Sequence, residues 1–163
     1  MKLNFIKEQT EWVNNWTSKL INDIDEKDFG IVPTLGASVN WEVGHIIISK
    51  YFHAIQSILD KDHKIIVNIN TKLPIPDLFK YYFAGSNPKE SWKNRPDKKQ
   101  LLEFGKEIDI AAMQILELLT EKSLKEPTSE NPVAKTKYDA LTFTFKHQMW
   151  HNGQIAMIKR IVG

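Results

Sequence analysis

The sequence predicts an all-α protein built as a four-helix bundle. Three observations carry that expectation: four segments repeat apolar residues at helical spacing, a long punctuated connection separates the second from the third, and almost nothing alternates like a strand. The 163 residues, 42% hydrophobic and 26% charged, suit one domain over residues 1–163 with its own core.

The first helix is read over residues 3–26, where Ile6, Val13, Trp16, Leu20 and Ile24 recur at steps of seven, three, four and four. Such spacing gives one buried face. It ends near Phe29 and Gly30, and Pro33 and Gly36 mark the following turn. Ser38 then caps a second helix. Its stripe is Trp41, His45, Ile48, Phe52 and Leu59, and it stops around Asp60, Lys61 and Asp62. Residues 62–96 form a crossover punctuated by Pro74, Pro76, Pro88 and Pro96. Pro76 and Asp77 open a short helix through Leu78, Phe79, Tyr82 and Phe83, and residues 64–70 read as a candidate strand. Asp97 and Gln100 form a capping box for a third helix facing inward with Leu101, Phe104, Ile108, Ala112, Ile115 and Leu119, to about Glu121. After a loop containing Pro127 and Pro132, Thr136 and Asp139 cap a fourth helix that reaches Ile161.

Composition excludes several functions. Twenty-two basic and twenty acidic side chains leave a net charge of +2, so no summed field selects nucleic acid, acidic polymers or an anionic membrane. With no cysteine, the chain has no disulfide scaffold, thiolate metal site or cysteine nucleophile. Lys2, Asn4, Lys7 and Glu8 interrupt the first residues, which lack a secretory pattern, so a cytoplasmic location is expected. The apolar run at residues 43–48 is far shorter than the ~20 residues of a membrane span. No P-loop, dinucleotide glycine motif or Gly-x-Ser-x-Gly elbow is present.

The histidines carry the chemistry. His147 and His151 are four residues apart and share one helix face with Phe143, Ile158 and Ile161. His45 lies on the inward stripe of the second helix. A buried imidazole needs partners for both nitrogens, and three protonated rings close together repel. A divalent metal meets both needs by taking one lone pair from each neutral ring, and three ligands leave a position open. The alternative is that each histidine is separately hydrogen-bonded in or near the core. His53, about 80° off the stripe of His45 at α-helical pitch, and His63 read as surface or edge residues.

The segments Ser38-Val-Asn-Trp-Glu-Val-Gly-His45-Ile and His147-Gln-Met-Trp-His151-Asn-Gly-Gln154-Ile resemble the DinB-like proteins, over nearly the whole chain. That resemblance implies a bundle of up-down-down-up order holding one divalent metal through His45, His147 and His151. Zinc comes first, with nickel, iron or manganese as alternatives. The family includes enzymes that activate a low-molecular-weight thiol, such as bacillithiol or mycothiol, for transfer or isomerisation, alongside metal-dependent hydrolases. The resemblance therefore implies a small-molecule substrate and self-association as a homodimer. A non-catalytic metal-containing binding or stress-response protein is the competing reading.

Around the metal, Glu42 is a candidate to orient a ligand, though its offset of about 60° from the stripe favours a solvated face. Gln154 shares the histidine stripe. Trp41, Tyr81, Tyr82 and Trp92 are candidates for an aromatic-lined pocket, with packing as the alternative. Lys89, Lys93, Arg95, Lys98 and Lys99 form a basic cluster that could face an anionic substrate. No acid within either motif is required as a general base.

Overall fold

The computed structural model describes residues 1–34, 36–89 and 95–162, and its regular elements there are all helical. α1 spans Lys2–Asn22 and buries Ile6, Thr10, Val13, Thr17 and Ile21. The two threonines fit this apolar face because their hydroxyls donate to the carbonyls of Ile6 and Val13, each at 2.8 Å. A single turn, α2 (Glu26–Phe29), buries Phe29. α3 spans Val39–Lys50, and the Ser38 hydroxyl accepts from the Trp41 N–H at 3.2 Å. All its residues except Ser49 are buried. It runs into a π turn over Tyr51–Gln56, where Ser57 N–H donates to Phe52 O at 2.9 Å.

Two helices fill the crossover. α4 covers Lys64–Lys72, capped by His63, whose Nδ1 accepts from Ile65 N–H at 3.3 Å. The strand expected at residues 64–70 is therefore corrected to a helix. Ile65, Ile66 and Ile69 are buried together, a spacing that belongs to one helical face and not to alternating sheet faces. α5, Ile75–Tyr82, opens with Pro76 in its first turn, as expected. α6 spans Lys98–Leu118 and has the expected capping box between Asp97 and Gln100. After a 3₁₀ turn at Ser123–Lys125, α7 covers Lys137–Val162. Thr136 and Asp139 exchange hydrogen bonds at its start, at 3.0 and 3.2 Å.

Paired residues reveal relative directions. Phe5 meets Phe145, Thr17 meets Gln148 and Asp23 meets Lys159, so α1 and α7 run the same way. Glu42 meets His151 and Ser49 meets His147, so α3 runs against α7. Asn40 bonds Pro96 and Lys50 bonds Asp109, so α3 and α6 run together. Lys7 pairs with Glu117, while Lys98 reaches Ile24 O at 2.6 Å, so α6 runs against α1. No helix among the described residues is long and apolar enough to cross a membrane.

α5 lies against α3 at Gly44. A Cβ built there would sit 2.4 Å from the Tyr82 ring, far inside van der Waals contact. Tyr82 is fully buried and its hydroxyl donates to Asn40 Oδ1 at 2.9 Å, so the ring has little freedom to retreat. Gly44→Ala should therefore destabilise the protein by about 1–3 kcal/mol through overpacking. A urea unfolding midpoint unchanged from wild type would contradict this packing.

Candidate metal centre

Antiparallel α3 and α7 place His45 against the helical pair His147 and His151. Ring centroids are 5.1 Å apart for His45 and His147, 4.7 Å for His45 and His151, and 4.4 Å for the pair. One ring nitrogen from each lies within 4.8 Å of the others. The Nε2 atoms of His147 and His151 are 3.1 Å apart. Two nitrogens bound at ~2.0–2.1 Å to one tetrahedral or more compressed metal stand roughly 2.9–3.4 Å apart. The histidine group could hold a metal ion.

Hydrogen bonds on the far side of each ring decide which nitrogen points inward. His45 Nδ1–H donates to Tyr82 O at 2.7 Å. His151 Nδ1–H donates to Glu42 Oε2 at 2.6 Å, and His147 Nδ1 lies 3.2 Å from Ser49 Oγ. Protonation at Nδ1 leaves Nε2 with a free lone pair in His45 and His151. The solvated face favoured for Glu42 is corrected here, since this carboxylate is only 3% exposed. The reason is that α3 is apolar on nearly every side, so its wheel has no solvent face to which an offset residue can turn.

Each ring also has an aromatic neighbour. Trp41 stacks on His45 at 4.8 Å, Phe143 on His147 at 5.1 Å and Trp150 on His151 at 5.9 Å. Burial, more than any other cause, keeps His45 below the ordinary imidazole pKa, and pushes His147 down to about 3 with help from the neighbouring histidines. These rings are neutral near pH 7, as metal ligands must be.

His53 joins this neighbourhood, contrary to the expected surface or edge position. It is 9% exposed and packs on Phe143 at 4.7 Å. The expected 80° offset assumed α-helical pitch, whereas the π turn winds more slowly and swings His53 back toward α7. Asn131 Nδ2–H donates to its Nδ1 at 3.0 Å, and burial pushes its pKa down to about 4.

The other candidates fall in different places. Trp41 Nε1–H donates to Ser86 Oγ at 2.9 Å, and Ser86 donates to Tyr81 O at 3.0 Å, so Trp41 is pinned from the crossover. Tyr82 supplies its carbonyl to His45 while its ring packs on Gly44. Gln154 follows His151 by three residues with its Oε1 buried and lacking a hydrogen-bond partner. Trp92 and Lys93 lie outside the described residues. The rest of the basic cluster disperses: Lys89 and Lys98 reach backbone carbonyls, and Arg95 lies over the Tyr82 ring at 5.5 Å. Sequence spacing alone could not find the Tyr82 carbonyl, because a backbone acceptor has no residue signature, or the Ser49 and Ser86 hydroxyls, because their partners His147 and Trp41 lie far away in the chain.

A pH dependence follows from the depressed histidines. Unfolded imidazoles take up protons below about pH 6.5, while folded His53 and His147 refuse them until about pH 4 and 3. Protons therefore favour the unfolded chain across that window, and stability falls as pH falls through it. In chelator-treated protein, His53→Gln should flatten the stability slope between pH 6.5 and 5. A slope identical to wild type would contradict the burial of neutral His53.

Comparison with curated proteins finds no match. A family model described as the DinB superfamily matches residues 9–155, a span that includes all three histidines. The chain belongs to the DinB superfamily.

Proposed function

We propose that His45, His147 and His151 hold one divalent ion, zinc in first place, and that the site activates a low-molecular-weight thiol for transfer to an electrophile. The carrying observation is that the far nitrogen of every ring has a protein partner, Tyr82 O, Ser49 Oγ or Glu42 Oε2, while the near nitrogens converge. When bound, a divalent cation lowers the pKa of a thiol or water in its open position. Glu42 orients His151 and offsets cationic charge. Because Glu42 is committed to that ring, it is not free to act as a general base. Thiol activation suits this arrangement, since the cation itself favours thiolate. A cytoplasmic setting, where small thiols are kept reduced, suits that substrate.

The same reading takes α1, α3, α6 and α7 as an up-down-down-up bundle, with α4 and α5 as its crossover. It includes a homodimer, for which Phe5, Trp12 and Trp16, exposed along α1, offer an apolar face.

Metal-loaded protein should contain about one ion per chain, and each single His→Ala variant should lose at least ~90% of it. Glu42→Gln should keep the fold but bind metal about 10–100-fold more weakly. A triple-alanine protein retaining one equivalent would remove the proposal. For the reaction, cysteine-based thiols with 1-chloro-2,4-dinitrobenzene should give the thioether and chloride faster than the uncatalysed background only with metal present. Turnover of esters or amides without thiol would instead establish hydrolysis.

A further inference from the structure

α3 with its π turn meets α7 in successive rungs. Glu42 faces His151, Ser49 faces His147 and His53 faces Phe143, so His53 stands about one helical turn, ~6 Å, beyond the rung of His147. His45 and His151 are buried whereas His147 is half-buried, and so are Phe52 and Phe143 beside it. The histidine group therefore reaches the surface on the side where His53 stands. The His53 ring lies between Phe52 at 4.9 Å and Phe143 at 4.7 Å, and it is close enough to help depress His147.

The loop before α7 fixes which nitrogen of His53 carries hydrogen. Asn131 Oδ1 accepts from Val133 N–H at 3.0 Å, which sets the amide so that Nδ2–H donates to Ser57 Oγ and to His53 Nδ1, both at 3.0 Å. A neutral ring that accepts at Nδ1 carries its hydrogen on Nε2. Ser129 fastens the same loop to the π turn, donating from its backbone to Ser57 O and from its hydroxyl to Gln56 O, each at 3.2 Å. The Nε2–H of His53 has no hydrogen-bond partner among the described residues and is not sealed from solvent. His53 is thus the reverse of His45 and His151: it presents a donor beside the site, where they present a lone pair to a metal.

We propose that His53 is a catalytic hydrogen-bond donor, whose Nε2–H binds the oxygen of a flat, conjugated electrophile on which the incoming electron pair comes to rest. This inference rests on the thiol-transfer reading above. With 1-chloro-2,4-dinitrobenzene, the thiolate sulfur bonds to the ring carbon that carries chlorine, and a π pair of that ring moves onto a nitro oxygen. The pair then returns and expels chloride. His53 keeps its proton throughout, and its hydrogen bond strengthens as negative charge grows on the oxygen. Phe52 and Phe143 hold the flat ring. An electrophile without such an oxygen gains nothing from this donor.

The test has two arms. In metal-free protein, 1,3-dinitrobenzene, which has the nitro oxygens and no leaving group, should shift the His53 Nε2–H resonance saturably in ¹⁵N–¹H NMR, whereas toluene should not. In metal-loaded protein, His53→Phe should lower at least tenfold the ratio of kcat/KM for 1-chloro-2,4-dinitrobenzene over that for benzyl chloride, with metal content unchanged. Asn131→Asp accepts a hydrogen from Nδ1 and turns Nε2 into an acceptor, so at about pH 8 it should lower the ratio likewise. It carries this arm if His53→Phe fails to fold. A dinitrobenzene shift without metal-dependent turnover of either chloride would overturn thiol transfer and leave His53 as an oxygen-binding group. No shift of Nε2–H by dinitrobenzene, an Nδ1–H tautomer at His53, or an unchanged ratio in a folded variant would overturn the proposal.

Discussion

The hydrogen bond between Glu42 and His151 couples two buried polar groups that neither helix could bury alone. A carboxylate 3% exposed on α3 requires a strong donor, and an imidazole 7% exposed on α7 requires an acceptor. Their 2.6 Å contact meets both needs and fixes the register of the two antiparallel helices. Once that register is set, Ser49 falls opposite His147, and His53 falls beside Phe143. The ring nitrogen of His151 that faces away from Glu42 is then left pointing at His147.

A second support comes from the crossover. Gly44 lets the Tyr82 ring approach the α3 backbone, and the Tyr82 carbonyl then reaches His45 at 2.7 Å. Asn40 extends this contact, accepting from the Tyr82 hydroxyl and donating to Pro96 O at 2.7 Å. The Gly-His pair is thereby given a physical reason, since the glycine makes room for the residue that orients the histidine. α5 is therefore part of the support of the site, as well as a connection between long helices.

Much of this was legible because helices bury stripes. The periodic apolar positions and the two capping pairs, Asp97 with Gln100 and Thr136 with Asp139, located the long helices closely. The three histidines stood out because each interrupts an inward stripe. Legibility failed where a wheel had no polar side, as for Glu42 in the almost wholly buried α3, and where pitch changed, as for His53 in the π turn. It failed again at residues 64–70, where isoleucine and valine suggested a strand but tertiary packing selected a helix. Lys50 was hidden for another reason: a lysine following an apolar run reads as the solvated end of a stripe, and its partners Asn14 and Asp109 lie on other helices.

The central claim is that the protein orients the histidines before a metal arrives, with Nδ1–H of His45 and His151 held outward and Nε2 left open. ¹⁵N–¹H NMR of the imidazoles tests this directly, in metal-free protein and after one equivalent of zinc. The account predicts that both rings are Nδ1–H tautomers without metal, that zinc shifts Nε2 of His45, His147 and His151 together, and that the Nδ1–H of His45 and His151 persists. Nε2–H tautomers at both His45 and His151 before loading, or zinc shifts at Nδ1, would contradict it.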